Sequence, residues 1–271
     1  MTGFGAHQVP SGVAGTTLEC VPSDVGQLWF PVSDHVMRPY ISRHGYWEKD
    51  EGALLRRLVR PGMRFLDVGA NVGYFSRFVA HSTANVHIDA VEPHPLLARI
   101  LELNLWIGRV DATVWPVAVG SGARAASLTS APTNPGDTRS AMSNLDGTQA
   151  QVVAPACAMD ELLPDAKIDV AKIDVQGAEA DVVSGMQELI RRCPNIAVVA
   201  EFWPTPLRES GRDPLDVLHG YRRQGLRIVT CIGAWMGELS DREVVATCAS
   251  GGREGAVNLL LLSNRRTTER N

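Results

Sequence analysis

The 271-residue chain has no block of basic residues beyond Arg265-Arg266, no CxxC pair, no His/Cys cluster and no apolar run long enough to span a membrane. Each absence excludes a class of protein. With 26 Lys and Arg against 30 Asp and Glu, a net charge of −4, the electrostatic footprint of a nucleic-acid binder is missing. The five cysteines, Cys20, Cys157, Cys193, Cys231 and Cys248, are odd in number and dispersed. They read as reduced thiols of a cytoplasmic protein, not as a disulfide frame or zinc site. No basic stretch followed by an apolar one opens the chain, so no signal peptide is expected, and no membrane partner. No internal repeat is visible. What remains is a chain that is 45% hydrophobic, enough for a sizeable core.

From residue 64 onward the pattern alternates strand and helix. Strands are predicted at Phe65–Val68, Val86–Val91, Thr113–Val119, Ile168–Val175, Ile196–Glu201, Leu226–Ile232 and Val257–Leu262. Helices are predicted at Gly73–His81, Leu96–Ile107, Ala178–Arg192 and Pro214–Gln224. This alternation predicts an α/β fold with a doubly wound, mostly parallel sheet covered on both faces. The stretch from Gly233 to Gly255 lacks a helical period and reads as a long hairpin connection, which would make the last strand antiparallel. Ahead of this core, Asp50–Val59 reads as a helix, with Leu54, Leu55 and Leu58 on one face and Pro61-Gly62 stopping it. Gln27–Val32 reads as a short edge strand, since Pro31 cannot donate to a ladder. Residues 1–15 are Gly/Ala/Thr-rich and read as a loose arm. Ser121–Ala150, rich in Ser, Thr, Gly, Pro and Asn, reads as a long loop, either functional or disordered. The implied division is an N-terminal arm or substrate cap over 1–45, a main domain over 46–264 and a flexible tail over 265–271.

The most informative stretch is RFLDVGANVGYFSRFVA, residues 64–80. An apolar strand ends at Asp67, a Gly-rich turn follows, and a helix opens at Tyr74. A buried strand, a tight turn and a helix N-terminus form a nucleotide site. The turn is Gly69-x-x-x-Gly73, not the GxGxxG that lays a pyrophosphate on backbone. Asp67 would repel a pyrophosphate and suits a cation, such as the amino group or sulfonium of S-adenosylmethionine. Glu92, in VEPHP, ends the next strand, where a carboxylate can take both ribose hydroxyls of an adenosine.

A second constellation, KIDVQGAE, spans Lys172 to Glu179. Asp174 ends a strand, Gly177 permits the turn and Glu179 falls in the first helical turn. Glu179 is read equally as a helix-dipole partner or as functional. Asp174 is expected beside the Asp67 turn. Lys172 alternates with Asp174, so both face one side, and a buried lysine there would need a carboxylate partner. One strand later Glu201 ends the run Ile196–Ala200. Asp174 and Glu201 on neighbouring strands would form a carboxylate pair able to hold Mg²⁺ or to share base work.

DVGANVGYFS, VEPHP, Asn104 of LELN, the VAVG strand from Val117 to Gly120 and KIDVQGAE together resemble the FkbM family of S-adenosylmethionine-dependent methyltransferases, over roughly Tyr46 to Glu201. One departure is Gln176, where relatives usually carry Glu. The resemblance implies the class I methyltransferase fold, a seven-stranded sheet with an antiparallel last strand, plus an N-terminal extension. It implies that Asp67, Gly69, Ala70, Asn71 and Gly73 hold the methionine end of the cofactor, with Asp174 adjoining, that Glu92 holds the ribose, and that the Ala118 backbone lies near the adenine. Glu48, in GYWE, resembles an acid that closes over the cofactor, and reads equally as a solvated acid at a helix start.

The expected activity is O-methylation of a hydroxyl on a sugar or polyketide-type natural product, with Asp174 and Glu201 as catalytic candidates and as Mg²⁺ ligands if a metal takes part. N-methylation of an amino sugar or related amine is the alternative. A non-catalytic cofactor-binding or regulatory protein is the alternative of another class. His44 and His219 are rival bases, His94 is expected near the ribose, and Trp29, Trp47, Trp203 and Trp235 are candidates for an acceptor pocket. The expected partner is a small molecule, and a homodimer is compatible with this reading.

Overall fold

The computed structural model describes residues 16–122, 125–131, 134–141, 151–250 and 255–263. The expected arm over 1–15 and tail over 265–271 lie outside them. The chain opens with a hairpin, β1 (Leu18–Ser23) and β2 (Gly26–Pro31), then α1 (Met37–His44) and α2 (Lys49–Leu58). The strand–helix alternation follows as β3 (Arg64–Val68), α3 (Tyr74–Ser82), β4 (His87–Val91), α4 (Pro95–Ile107) and β5 (Ala112–Trp115). An insertion supplies β6 (Ala118–Gly120), β7 (Ala125–Ala131), β8 (Asn134–Ala141), β9 (Gln151–Ala158) and α5 (Met159–Leu162). The second half holds β10 (Val170–Ile173), α6 (Glu179–Ser184), α7 (Gln187–Arg192), β11 (Ala197–Phe202), α8 (Pro204–Glu209), α9 (Pro214–Arg223), β12 (Leu226–Ile232), β13 (Trp235–Gly237), α10 (Asp241–Ala249) and β14 (Val257–Ser263).

The main sheet runs β13-β12-β14-β11-β10-β3-β4-β5. Strands β11, β10, β3, β4 and β5 are parallel, and β14 lies antiparallel between β11 and β12. This is the doubly wound α/β arrangement that the resemblance implies, with one strand more than expected. The eighth, β13, folds back on β12 across Gly233-Ala234, with Ile232 paired to Trp235. Gly233 has φ of 56°, which a tight hairpin turn of this kind favours.

The strands are buried on both faces, so they read as continuous apolar runs with no alternation. The alternation is nevertheless there in the packing. Phe65, Val170, Ala197 and Val199 join one core cluster, with α2, α3 and the N-terminal hairpin. Leu66, Ala171, Ile173, Val198 and Ala200 join the other, with α6, α7 and α9. Period-two spacing therefore puts Asp67, Lys172, Asp174 and Glu201 on the same face as Phe65, Val170 and Val199.

Four expectations are corrected. Ser121–Ala150 is not simply a loop: its described part forms β7 and β8, which pair with each other and, through β7, with β9 in a second, four-stranded sheet. Strands built mostly of Ala, Ser, Thr, Asn and Pro carry too few large apolar residues to register as strands. The Gly233–Gly255 connection carries α10, whose start is a capping box: Ser240 Oγ accepts from Glu243 N–H, and the Glu243 carboxylate accepts from Ser240 N–H. The S-x-x-E spacing announces it. The strand expected over Thr113–Val119 breaks at Pro116 into β5 and β6. The helix expected over Ala178–Arg192 breaks at Gly185, where a Cβ would sit 1.9 Å from the Gly120 carbonyl oxygen.

The hairpin β1–β2 is tied to the Gly-rich turn by Asn104 of α4. Its side chain accepts from Trp29 N–H (2.8 Å) and donates to the Trp29 (3.0 Å) and Val72 (2.8 Å) carbonyls. Arg77 of α3 adds bonds to the carbonyls of Val25 and Asn104. A buried amide that satisfies three backbone groups fixes the turn by orientation as well as energy. Among the described residues no helix is long and apolar enough to cross a membrane.

Candidate active site

The carboxyl ends of β4, β3, β10 and β11 lie side by side, and a cavity of about 660 Å³ opens over them. This is the crevice where open α/β sheets bind ligands. Asp67, Gly69, Ala70, Asn71 and Glu92 line it, as do Ala118, Glu48, Asp174 and Glu201. Gly73 does not. It has φ of 90°, and a Cβ there would lie 2.6 Å from Leu101 Cδ1, so it serves the packing of the turn onto α4.

The turn is held from below. Gly69 N–H and Ala70 N–H both donate to the Val91 carbonyl, and Asn71 N–H donates to Glu92 Oε2 at 2.9 Å. The other Glu92 oxygen accepts from His94 N–H at 2.9 Å. Each carboxylate oxygen keeps a lone pair for a ligand hydroxyl. Burial pushes Glu92 up to about 7, against the pull of those two backbone donors.

Lys172 is fully buried on β10, in register with Asp67 of β3, and its Nζ lies 3.0 Å from Asp174 Oδ2 and 4.7 Å from the Phe75 ring centre. Burial works against the ammonium, but Asp174, Glu51, Asp67 and Glu48 outweigh it and push its pKa up. Asp67 is raised by burial, countered by Lys172 and by the Ser76 hydroxyl, which donates to Oδ2 at 2.6 Å. Glu51 of α2 is buried in the same cluster and raised well above the ordinary carboxylate value, first by burial, with Lys172 opposing and Glu48 adding to the rise. Glu201 is pushed up to about 9 by burial and by the neighbouring carboxyls, Asp174 first. Among the described residues, five carboxyls line the cavity, at Glu48, Asp67, Glu92, Asp174 and Glu201, against the single ammonium of Lys172. Such a site attracts a cation.

The other candidates fall away from it. Glu179 staples its own turn, accepting from Val175 N–H and Gly177 N–H, and does not line the cavity. His219 is exposed and paired with Asp241. His44 stacks with Tyr40 and Tyr46, and His94 stands outside the lining although its backbone holds Glu92. Of the four candidate tryptophans, Trp47 and Trp203 line the cavity and Trp29 and Trp235 do not. Sequence reasoning left Gln176 out of the site as a departure from its relatives, yet its amide lies 3.5 Å from Asp174 Oδ1 and it lines the cavity; it passed over Leu128, contributed by β7 of the insertion. Glu51 carried no signal, because its role depends on α2 docking over β3 and β10.

The FkbM methyltransferase domain profile matches residues 67–225, more than half of the chain. The chain belongs to this family. It is an S-adenosylmethionine-dependent methyltransferase. None of the curated proteins matches it. Among solved structures it is similar to a TehB-like methyltransferase from Corynebacterium glutamicum, at 11% identity over 83% of this chain and 94% of that one, TM-score 0.47. It is also similar to an O-methyltransferase from Thermotoga maritima, at 12% identity over 90% and 76% of the two chains, TM-score 0.45.

The residues present fit the cofactor. Asp67 Oδ1 and Asn71 Oδ1 are buried without a partner beside the turn, and Gly69, where a Cβ would stand 1.9 Å from the Asp174 carbonyl oxygen, lets the ends of β3 and β10 close up at the cavity. Divalent metal fits less well. Lys172 already neutralises Asp174, the burial that raises Glu201 favours its protonated form, and no group of three or more metal-ligating side chains is found among the described residues. The expected Mg²⁺ site at Asp174 and Glu201 is therefore not supported.

One consequence concerns pH. Glu92 is raised from 4.5 to about 7, so the folded cofactor-free protein binds more protons than the unfolded chain between those values. The stability this group contributes is fully present below 4.5 and is lost as pH rises towards 7, by at most about 3 kcal/mol. Urea unfolding of the cofactor-free protein from pH 5 to 8 is expected to show a decline that Glu92→Gln flattens.

Proposed function

We propose that this protein methylates a hydroxyl of a small molecule, a sugar or a polyketide-type natural product, without a metal ion. The observation that supports this reading is the row of strand ends in one cavity: Glu92, the Asp67 turn, Asp174 and Glu201. Three strand spacings separate β4 from β11, about 14 Å. Glu92 takes the ribose hydroxyls, the Ala118 backbone borders the adenine, and the Asp67–Asn71 turn holds the methionine end. When bound, S-adenosylmethionine supplies an activated methyl group on a sulfonium. The protein then mainly aligns the acceptor and excludes water.

An alcohol must also lose its proton. Glu201 is our choice of base. A positive charge beside it lowers its pKa from about 9 towards neutrality, where a general base works best. Asp174, held by Lys172 and Gln176, orients the acceptor. The excess of carboxyls also favours the second reading, an amine acceptor, for which base strength matters less.

The test is titration calorimetry with S-adenosylmethionine, followed by transfer of labelled methyl to a panel of alcohols and amines. Asp67→Asn is expected to weaken cofactor binding at least tenfold while leaving the fold intact, because the swap is isosteric. Turnover is expected to survive excess chelator. Unchanged binding by Asp67→Asn overturns the cofactor assignment, and loss of turnover on chelation overturns the metal-free mechanism.

A further inference from the structure

A second cavity, of about 540 Å³, adjoins the first. Glu48, Glu201 and Ala256 line both. One side is α2, with Asp50, Ala53, Leu54 and Arg57; the other is the β12–β13 turn and the start of β14. The two sides approach each other at two points. Asp50 Oδ2 lies 3.8 Å from where a Cβ on Gly233 would stand, and Arg57 Nη1 lies 3.9 Å from Met236 Sδ. Neither the predicted hairpin connection nor the donor site accounts for this space.

We propose that this second cavity is the acceptor site, and that it takes a small polyhydroxylated molecule carrying a protonated amine. The inference rests on the methyl-transfer reading of the first cavity. Its geometry follows from the shared wall: an acceptor here meets the donor across Glu201, a carboxyl that makes no hydrogen bond to the described residues. Its chemistry follows from the lining. Among the described residues two carboxyls, Glu48 and Asp50, joined by Glu201 when the positive charge of a bound donor lowers it, face one guanidinium, Arg57, which is exposed. Carboxylate or phosphate on the acceptor would be repelled. Cys231, Ile232, Met236 and Val257 supply an apolar wall against which a ring can lie. The volume is within the range of small-ligand pockets. The edge strand β13 then has a purpose, since its turn closes the cavity against α2. The site recognises the amine and leaves open whether oxygen or nitrogen receives the methyl group.

The protein carries a reporter in each cavity, Met37 in the first and Met236 in the second. With methionine methyls labelled with ¹³C, S-adenosylhomocysteine is expected to shift the Met37 resonance. Glucosamine, added next as a probe, is expected to shift Met236, about fivefold more tightly than glucose, the effect of one charge pair near 4 Å in wet surroundings. Glucuronate is expected to leave it unmoved. Ala53→Trp and Ala234→Trp, both at exposed positions, are expected to abolish the Met236 response and spare that of Met37. A silent Met236, a glucuronate response equal to that of glucosamine, or a response surviving both tryptophans overturns the proposal. Failure of S-adenosylhomocysteine to bind or to shift Met37 overturns the donor-site reading instead, so the two failures are distinguishable.

Discussion

Gly69→Ala is expected to abolish cofactor binding and to lower the melting temperature by about 10 °C. Two effects add. Gly69 has φ of 80°, where a side chain costs roughly 1–2 kcal/mol. The added Cβ would also stand 1.9 Å from the Asp174 carbonyl oxygen, a backbone atom that cannot rotate away. Relieving that overlap parts the ends of β3 and β10, at a further cost of about 1–3 kcal/mol. At 2–4 °C per kcal/mol for a chain of roughly this size, the sum gives the stated fall. Gly62→Ala separates the two effects. Gly62 has φ of 83° with nothing within 4 Å of its Cβ position, so it carries the strain without the clash. Thermal unfolding of both variants, with calorimetry of cofactor binding, checks the result. An equal loss in both would show that the close approach of the two strand ends is unimportant.

Lys172→Met is expected to destabilise the protein by about 3 kcal/mol near neutral pH, although methionine fills similar space. The cost arises because Asp67 and Asp174 lose their counter-charge, and breaking a buried pair leaves an uncompensated charge worth about 3–5 kcal/mol. The lower figure applies because the Asp174 side chain is 29% exposed. The sign with pH is fixed. Burial already raises Asp67, and without the ammonium that opposes it the rise is larger, so the deficit grows as pH increases past the unfolded value. Urea titrations at pH 5.5 and 8 are expected to show a larger deficit at pH 8. The double variant Lys172→Met/Asp174→Asn is expected to lose less than the sum of its parts, by about 1–3 kcal/mol, as contacting charges do. Strict additivity would mean that the 3.0 Å pair is energetically silent.

Lys172 also shows how far the site was legible. Its spacing from Asp174 put both on one face and called for a carboxylate partner, and the structure supplies one. Its wider role, balancing Asp67 and Glu51 as well, needed the register Lys172 to Asp67 and the docking of α2, neither of which is local. Gly73 went the other way. It stood in the motif with Gly69, yet it packs on Leu101 while Gly69 borders the cavity. Two glycines four residues apart look alike in sequence, because what crowds a missing side chain is another part of the chain.

The sequence by itself determined the doubly wound fold, the Gly-rich turn after β3 and the row Asp67, Glu92, Asp174 and Glu201. It did so because parallel strands all deliver their last residue to the same edge, so strand-end acids must meet there. Tertiary structure alone decided the insertion sheet, the Glu51–Lys172 cluster and the second cavity between α2 and the β12–β13 turn. Those arise where segments far apart in the chain pack against each other. Contacts of that kind leave no period in the sequence to be read.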